Sequence, residues 1–344
     1  MIKNILLLVL LTCSMHGQNL ITNLLAEMND SLVNHILSEP GRYKLQIIYT
    51  LIDRNADNSP VFTTHTLHVQ NDSYFYPAST VKFPAALLAF EKVNTLESYG
   101  INKYTRLSID SAFPGQTRVL QDASSATGFP SLAHYAKKIF IVSDNDAYNR
   151  LYEFLGQEYL NKRLKELGYY NTTIFTRLAL GASEELNRNT NPFHFYHGDS
   201  IIYTQPQQTN PNTIRLTMKD LYQGVGYLKG DSILPGPFDF SNKNYFSLQD
   251  QHTMLMRLFF PSAFKKSEIP SLTDDDYNFI YTAMSRLPRE SSYPVYAPYQ
   301  DYYDGYVKYF IYGDTKDTIP SHIRIFNKVG LSYGYLTENA YIMD

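Results

Sequence analysis

The sequence predicts an α+β protein in which an antiparallel sheet is flanked by helices and an all-helical lobe is inserted between the sheet's halves. Three observations lead there. Alternating runs rich in β-branched residues stand near both ends of the chain, at Tyr43 to Ile52, Val61 to Val69, His322 to Lys328 and Tyr335 to Met343. Stretches with apolar residues at helical spacing fill the region between them. The 344 residues are 44% hydrophobic, which is enough for a sizeable core and too apolar for a disordered chain.

The chain opens with the pattern of an export signal: Lys3, an unbroken apolar run from Ile5 to Leu11, then Ser14, Met15, His16 and Gly17. That run is too short to span a bilayer. Cleavage after Gly17 would remove Cys13, the only cysteine. The alternative is lipid attachment at Cys13, behind Leu10-Leu11, although Thr12 is a poor residue for that position. The expected compartment is therefore the periplasm, with a lipid-anchored envelope protein as the second choice. Residues 20 to 38 place Leu20, Leu24, Leu25, Met28, Leu32 and Ile36 at helical spacing, and Pro40-Gly41 ends the pattern. Asn55 to Asn58 turns the first strand into the second. Helices are expected at Thr80 to Val93, Ser131 to Val142, Asp146 to Leu155, Lys162 to Leu167 and Thr217 to Leu228, with Pro84 tolerated in a first turn. The α/β part should comprise residues 20–78 and 320–344, the helical lobe 79–228, and a tyrosine-rich insertion 229–321.

Composition narrows the function. Thirty basic against thirty-three acidic residues give a net charge of −3, so no nucleic-acid partner is expected. A single cysteine excludes intrachain disulfides and multi-thiolate zinc. His65 and His68 would point to opposite faces of a strand, and His194 with His197 lacks a carboxylate at metalloprotease spacing. Gly224 to Gly230 has the wrong spacing and context for a dinucleotide loop. No metal and no cofactor are expected, and no later stretch is apolar enough for a membrane span.

Three short motifs carry the chemistry. In Ser79-Thr80-Val81-Lys82, at the start of a helix, hydroxyl and amine lie nearly one turn apart and can share a hydrogen bond. A lysine whose pKa is lowered by burial and nearby positive charge could activate the serine, and the helix N-terminus offers N–H donors to an oxyanion. Alone the motif is weak, since Ser262 to Lys265 repeats it in what reads as a surface turn. Ser143-Asp144-Asn145 stands between two helices, as an ordinary capped turn or as a proton relay through Ser143 with Asn145 orienting Lys82 and the substrate. Lys328-Val329-Gly330 lies on a late strand, where lysine can hold a carboxylate and glycine admits close approach.

In this order, with these flanks, the motifs resemble the serine β-lactamase and penicillin-binding protein superfamily, whose signature is S-x-x-K, S-D-N and K-T-G. The pattern is nearest to the class A β-lactamases. Tyr76 to Phe83, Leu132 to Leu155, Leu216 to Leu221 and Phe326 to Gly334 carry the likeness. The resemblance implies an acyl-enzyme on Ser79, with Lys82 as base, Ser143 as proton donor and an oxyanion site at the N–H groups of Ser79 and Leu331. Asn145, Lys328 and Gly330 would line the substrate. It further implies a small-molecule partner, a β-lactam or a peptidoglycan-like peptide, acted on by a monomer. A D-alanyl peptidase or esterase, or a non-catalytic envelope binding module, are the alternatives.

Departures from the pattern matter as much. The deacylating glutamate of the omega loop would fall on Ser183, with Glu184 and Glu185 just after it. Glu184 serves if the loop shifts by one residue; otherwise both are solvated loop charges. Val329 replaces a hydroxyl residue, and Ser332 could compensate. The resembled fold also has a further strand and helix beyond the final strand pair. The sheet is therefore expected to be incomplete, with the two hairpins not paired directly and the natural chain longer. Eight tyrosines from Tyr293 to Tyr312, spaced near three, fit neither a clean strand nor a helix, and the plain reading is a surface loop packed by its rings. They are expected to wall the cleft and narrow substrate choice.

Overall fold

A computed structural model describes residues 20–344. The export segment and Cys13 lie outside the described residues. The expected first helix is two: α1, residues 20–27, and α2, Ser31–Ser38. Asp30 separates them by accepting hydrogen bonds from the Leu32 and Val33 amides, both at 2.9 Å, and so starts a new helix. Strands β1 (Ile47–Arg54) and β2 (Pro60–Leu67) form an antiparallel hairpin in the register Ile47 to Leu67. Thr50 ties it to the helical layer through His252 at 3.0 Å.

The core is built around α3 (Lys82–Asn94), eleven of whose thirteen residues are buried. A helix apolar on every side belongs in the middle of a protein, and α4 (Leu132–Val142), α5 (Asn145–Leu155) and α6 (Gln157–Glu166) surround it. Its one buried carboxylate, Glu91, receives both arms of the Arg163 guanidinium, at 2.8 and 2.9 Å. The region 79–228 is not all helical. Strands β3 (Leu107–Ile109), β4 (Phe193–His197) and β5 (Ser200–Gln205) form a three-stranded sheet against the core. The expected helix from Thr217 to Leu228 is absent too. Gly224 and Gly230 take positive φ, and β6 (Gly226–Lys229) and β7 (Ser232–Pro235) make a hairpin turning at Gly230-Asp231.

Residues 229–321 are not a single insertion. They include α7 (Leu248–Phe259), capped by Ser247, and α8 (Asp274–Ser285), capped by Thr273. These pack on the terminal hairpin of β8 (Arg324–Ser332) and β9 (Tyr335–Met343), α7 against β9 and α8 against β8. Irregular backbone runs through residues 260–273 and, at greater length, 286–321. β8 and β9 pair throughout, from Arg324 opposite Met343 to Ser332 opposite Tyr335. The two hairpins remain separate two-stranded sheets, so no ladder joins β1 to β9. Between them runs a groove of about 1470 Å³ lined by Gln46, Ile47 and Ile48 on one side and Leu336, Thr337 and Glu338 on the other. No helix of the described residues is long and apolar enough to cross a membrane.

Candidate active site

The nucleophile candidate sits where the chain makes a tight entry into α3. A 3₁₀ turn, Ala78–Val81, leads into the helix, with Ala78 held at φ 47° just before Ser79. β8 crosses this turn so closely that a Cβ on Gly330 would lie 2.5 Å from the Pro77 carbonyl oxygen and 3.1 Å from Ala78 Cβ. Only glycine allows that approach. Ser79 is half-buried and Lys82 fully buried.

Lys82 and Ser79 are not hydrogen-bonded to each other. The Lys82 ammonium instead donates to Ser143 O at 2.5 Å, Asn145 Oδ1 at 2.7 Å and Ser143 Oγ at 3.2 Å. These acceptors converge because the Ser-Asp-Asn turn is short. Ser143 ends α4 in the left-handed region at φ 58°, Asp144 caps α5 by accepting from Ala147 N at 2.8 Å, and Asn145 is the first residue of α5. Burial pulls the Lys82 amine down to about 7, with the Asp144 charge opposing the shift. From the other side Lys328 Nζ donates to Ser143 Oγ at 2.8 Å and to Val329 O at 2.8 Å. Burial, together with the Lys82 and Lys308 charges, holds Lys328 well below the ordinary lysine range. With both lone pairs of Ser143 Oγ engaged by amines, its own proton is free to be donated.

Ser79 and Ser143 line a cleft of about 960 Å³ with Tyr303, Tyr306, Tyr309, Val329 and Leu331. Of these rings only Tyr306 lies within the short 3₁₀ turn Asp304–Val307; Tyr303 enters it on extended backbone and Tyr309 follows it. The site therefore includes tyrosines that the motifs did not single out, and a period of three was the signal for them. Tyr293, Tyr296, Tyr299, Tyr302 and Tyr312 do not line this cleft. The segment is fastened from behind. Buried Asp304 accepts from Arg289 Nε at 2.8 and 3.0 Å and from Ile319 N at 2.8 Å. Buried Lys308 donates to Met284 O at 2.5 Å, Ile325 O at 2.9 Å and Asn327 Oδ1 at 2.6 Å. Glu338 accepts from Phe310 N at 2.6 Å.

Two expected site residues lie elsewhere. Glu184 is 45% exposed; its carboxylate accepts from Thr213 at 2.8 Å, faces Arg215 at 3.9 Å and does not line the cleft. Ser183 caps a short helix, Glu184–Arg188, by accepting from Leu186 N at 3.0 Å. The cause lies beneath the loop. Buried Arg177 pairs with Glu153 at 2.9 Å and donates to Asn189 O at 2.9 Å, while Asn187 Oδ1 accepts from Arg177 N at 2.8 Å. These bonds turn the polar Asn187 inward and leave the glutamates outside. Ser332 lines the groove between the hairpins rather than the cleft, so it does not replace the hydroxyl missing at Val329, which is itself a cleft wall.

A sequence model described as the Beta-lactamase enzyme family matches residues 54–268. Searching curated protein sequences finds no match. Among solved structures, a β-lactamase from Desulfarculus baarsii is similar with a TM-score of 0.45 at 14% identity, over 88% of this chain and 79% of that one. A class A β-lactamase from Mycobacterium abscessus gives 0.44 at 12% identity, over 90% and 84% of the two chains. The matched span holds more than half of the chain, including Ser79, Lys82, Ser143 and Asn145, and the chain belongs to the β-lactamase enzyme family.

Proposed function

We propose that the protein is an acyl-serine hydrolase that opens β-lactam amides through a covalent intermediate on Ser79. The observation that carries this reading is the buried Lys82 amine, one helical turn after Ser79 and bonded to both Ser143 and Asn145. In its neutral form the amine gives up one of its three hydrogen bonds, the longest being that to Ser143 Oγ, and has a lone pair for the Ser79 proton. Ser79 Oγ bonds to the carbonyl carbon, and the amide C–N bond breaks. The Ser143 proton passes to the leaving nitrogen and is replaced from the amines on its oxygen. Asn145, whose amide NH₂ has no partner among the described residues, and the Leu331 backbone at the strand edge would position the substrate.

A second reading, a penicillin-binding type of protein with a long-lived adduct, is favoured by the position of Glu184, which leaves no omega-loop carboxylate in the cleft. Following intact mass after addition of a penicillin separates the two. The account predicts an adduct of the whole penicillin's mass, lost in Ser79→Ala, forming faster than it decays. An adduct cleared as fast as it forms supports efficient β-lactam hydrolysis. No adduct together with no loss of the penicillin would contradict both readings and leave an esterase or a binding module that keeps the scaffold.

A further inference from the structure

The cleft beside Ser79 carries almost no charge. Among its described lining residues Asp314 is the only ionisable side chain apart from tyrosines, and no lysine or arginine lines it. Lys82 and Lys328 turn their amines to Ser143 instead. Around the opening stand apolar side chains that folding leaves uncovered: Ile311 is 63%, Leu331 61% and Leu336 60% exposed. Exposed apolar side chains gathered around a cleft mark the chemistry of what enters it.

Ile311 is the most informative of these. Phe310 at φ −63°, ψ 129° and Ile311 at φ 70°, ψ −38° form a tight turn closed by Gly313 N to Tyr309 O at 3.1 Å. The second of these positions suits glycine, and a β-branched residue is strained there. Since Ile311 is mostly exposed, burial on folding does not repay the strain. Strain held at a cleft, on a segment fastened by buried Asp304 and Lys308 and by half-buried Glu338, has an explanation in what the cleft binds.

We propose that the cleft selects acyl donors whose reactive carbonyl carries an aromatic or branched apolar group, seated against Tyr303, Tyr306 and Ile311. This rests on Ser79 being the nucleophile. Two p-nitrophenyl esters test it, the phenylacetate and the acetate. In each, Ser79 Oγ bonds to the carbonyl carbon, the bond to the phenolate oxygen breaks, p-nitrophenolate leaves and the serine proton passes to Lys82. Rates of phenolate release are divided by each ester's hydrolysis rate in buffer. The expected preference for phenylacetate is about ten-fold or more. It should fall roughly three- to ten-fold in Tyr306→Ala and in Ile311→Ala, and stay unchanged in Tyr170→Ala, an exposed ring outside the cleft. Ile311→Ala removes an exposed side chain, so it reports even if Tyr306→Ala does not fold. Equal corrected rates, or a preference that neither variant lowers, overturn the proposal while leaving the nucleophile intact. Phenolate release that persists in Ser79→Ala overturns the nucleophile and the proposal with it.

Discussion

At the scale of single residues the account turns on Lys82 and Gly330. A buried amine brought to about 7 is partly neutral at neutral pH, and only the neutral form can take the Ser79 proton. Acylation should therefore rise as pH increases through about 7 and then level off, which rates of penicillin adduct formation between pH 5.5 and 9 would show. Lys82→Arg, which cannot lose its proton, should abolish acylation across that range. Gly330→Ala drives a methyl group to 2.5 Å from the Pro77 carbonyl, so β8 or the Ser79 turn must move. A loss of about 1–3 kcal/mol in urea unfolding is expected, with acylation down at least about ten-fold. An unchanged acylation rate would mean that the close approach does not position the nucleophile. The motif residues were legible in the sequence because their chemistry is local: Ser79 and Lys82 share a turn, and Ser143 and Asn145 share a loop. Asn145 as a partner of Lys82 was legible; the absence of a bond to Ser79 was not. Spacing puts Lys82 within reach of Ser79, whereas the packed structure offers it three acceptors on another element.

Among the elements, the 286–321 segment is held in part by charges buried away from water, Asp304 and Lys308. Asp304→Ala strands the Arg289 guanidinium and the Ile319 amide, and should destabilise the segment by roughly 2–4 kcal/mol. Limited proteolysis should then cut between residues 293 and 321 while the helices of the core survive, and Asp304→Asn should cut more slowly. Equal resistance in wild type and Asp304→Ala would show that the wall is held by something else. Sequence periodicity gave the helices of the core because their apolar spacing repeats over several turns. It failed where glycine decides the backbone, as at Gly224 to Gly230, and where an N-cap starts a new helix within one apolar pattern, as at Asp30. The tyrosine period of three matched neither common template because the segment is mostly irregular, with only a four-residue 3₁₀ turn around Tyr306. The position of Glu184 was beyond reach for a different reason: Arg177, Glu153 and Asn187, which set the loop, meet only in three dimensions.

For the whole molecule, buried amines make a prediction about stability. Lys82, Lys92 and Lys308 are each brought down to about 7 by burial, and Lys328 lies well below its ordinary range. Unfolded, these lysines titrate near about 10.4, so between pH 7 and roughly 10 the unfolded chain binds more protons than the folded one. Stability should rise with pH over that interval. It should fall again above roughly pH 10, where the unfolded chain ionises tyrosines that burial keeps neutral in the fold, Tyr152 and Tyr245 among them. Urea midpoints at pH 7, 8.5 and 9.5 that stay flat or decline would show these amines to be better hydrated than their burial implies. The fold class was legible because strands at both ends of the chain bracket a helical middle. That the two terminal hairpins do not pair directly was legible as well; the three-stranded sheet of β3, β4 and β5 was not, since its pairing joins residues about ninety apart in sequence. The most direct test of the site is to treat the protein with a penicillin, digest it and locate the modified peptide. The account predicts an acyl group on Ser79. An adduct on Ser143 or Ser262, or none on any serine, would contradict it.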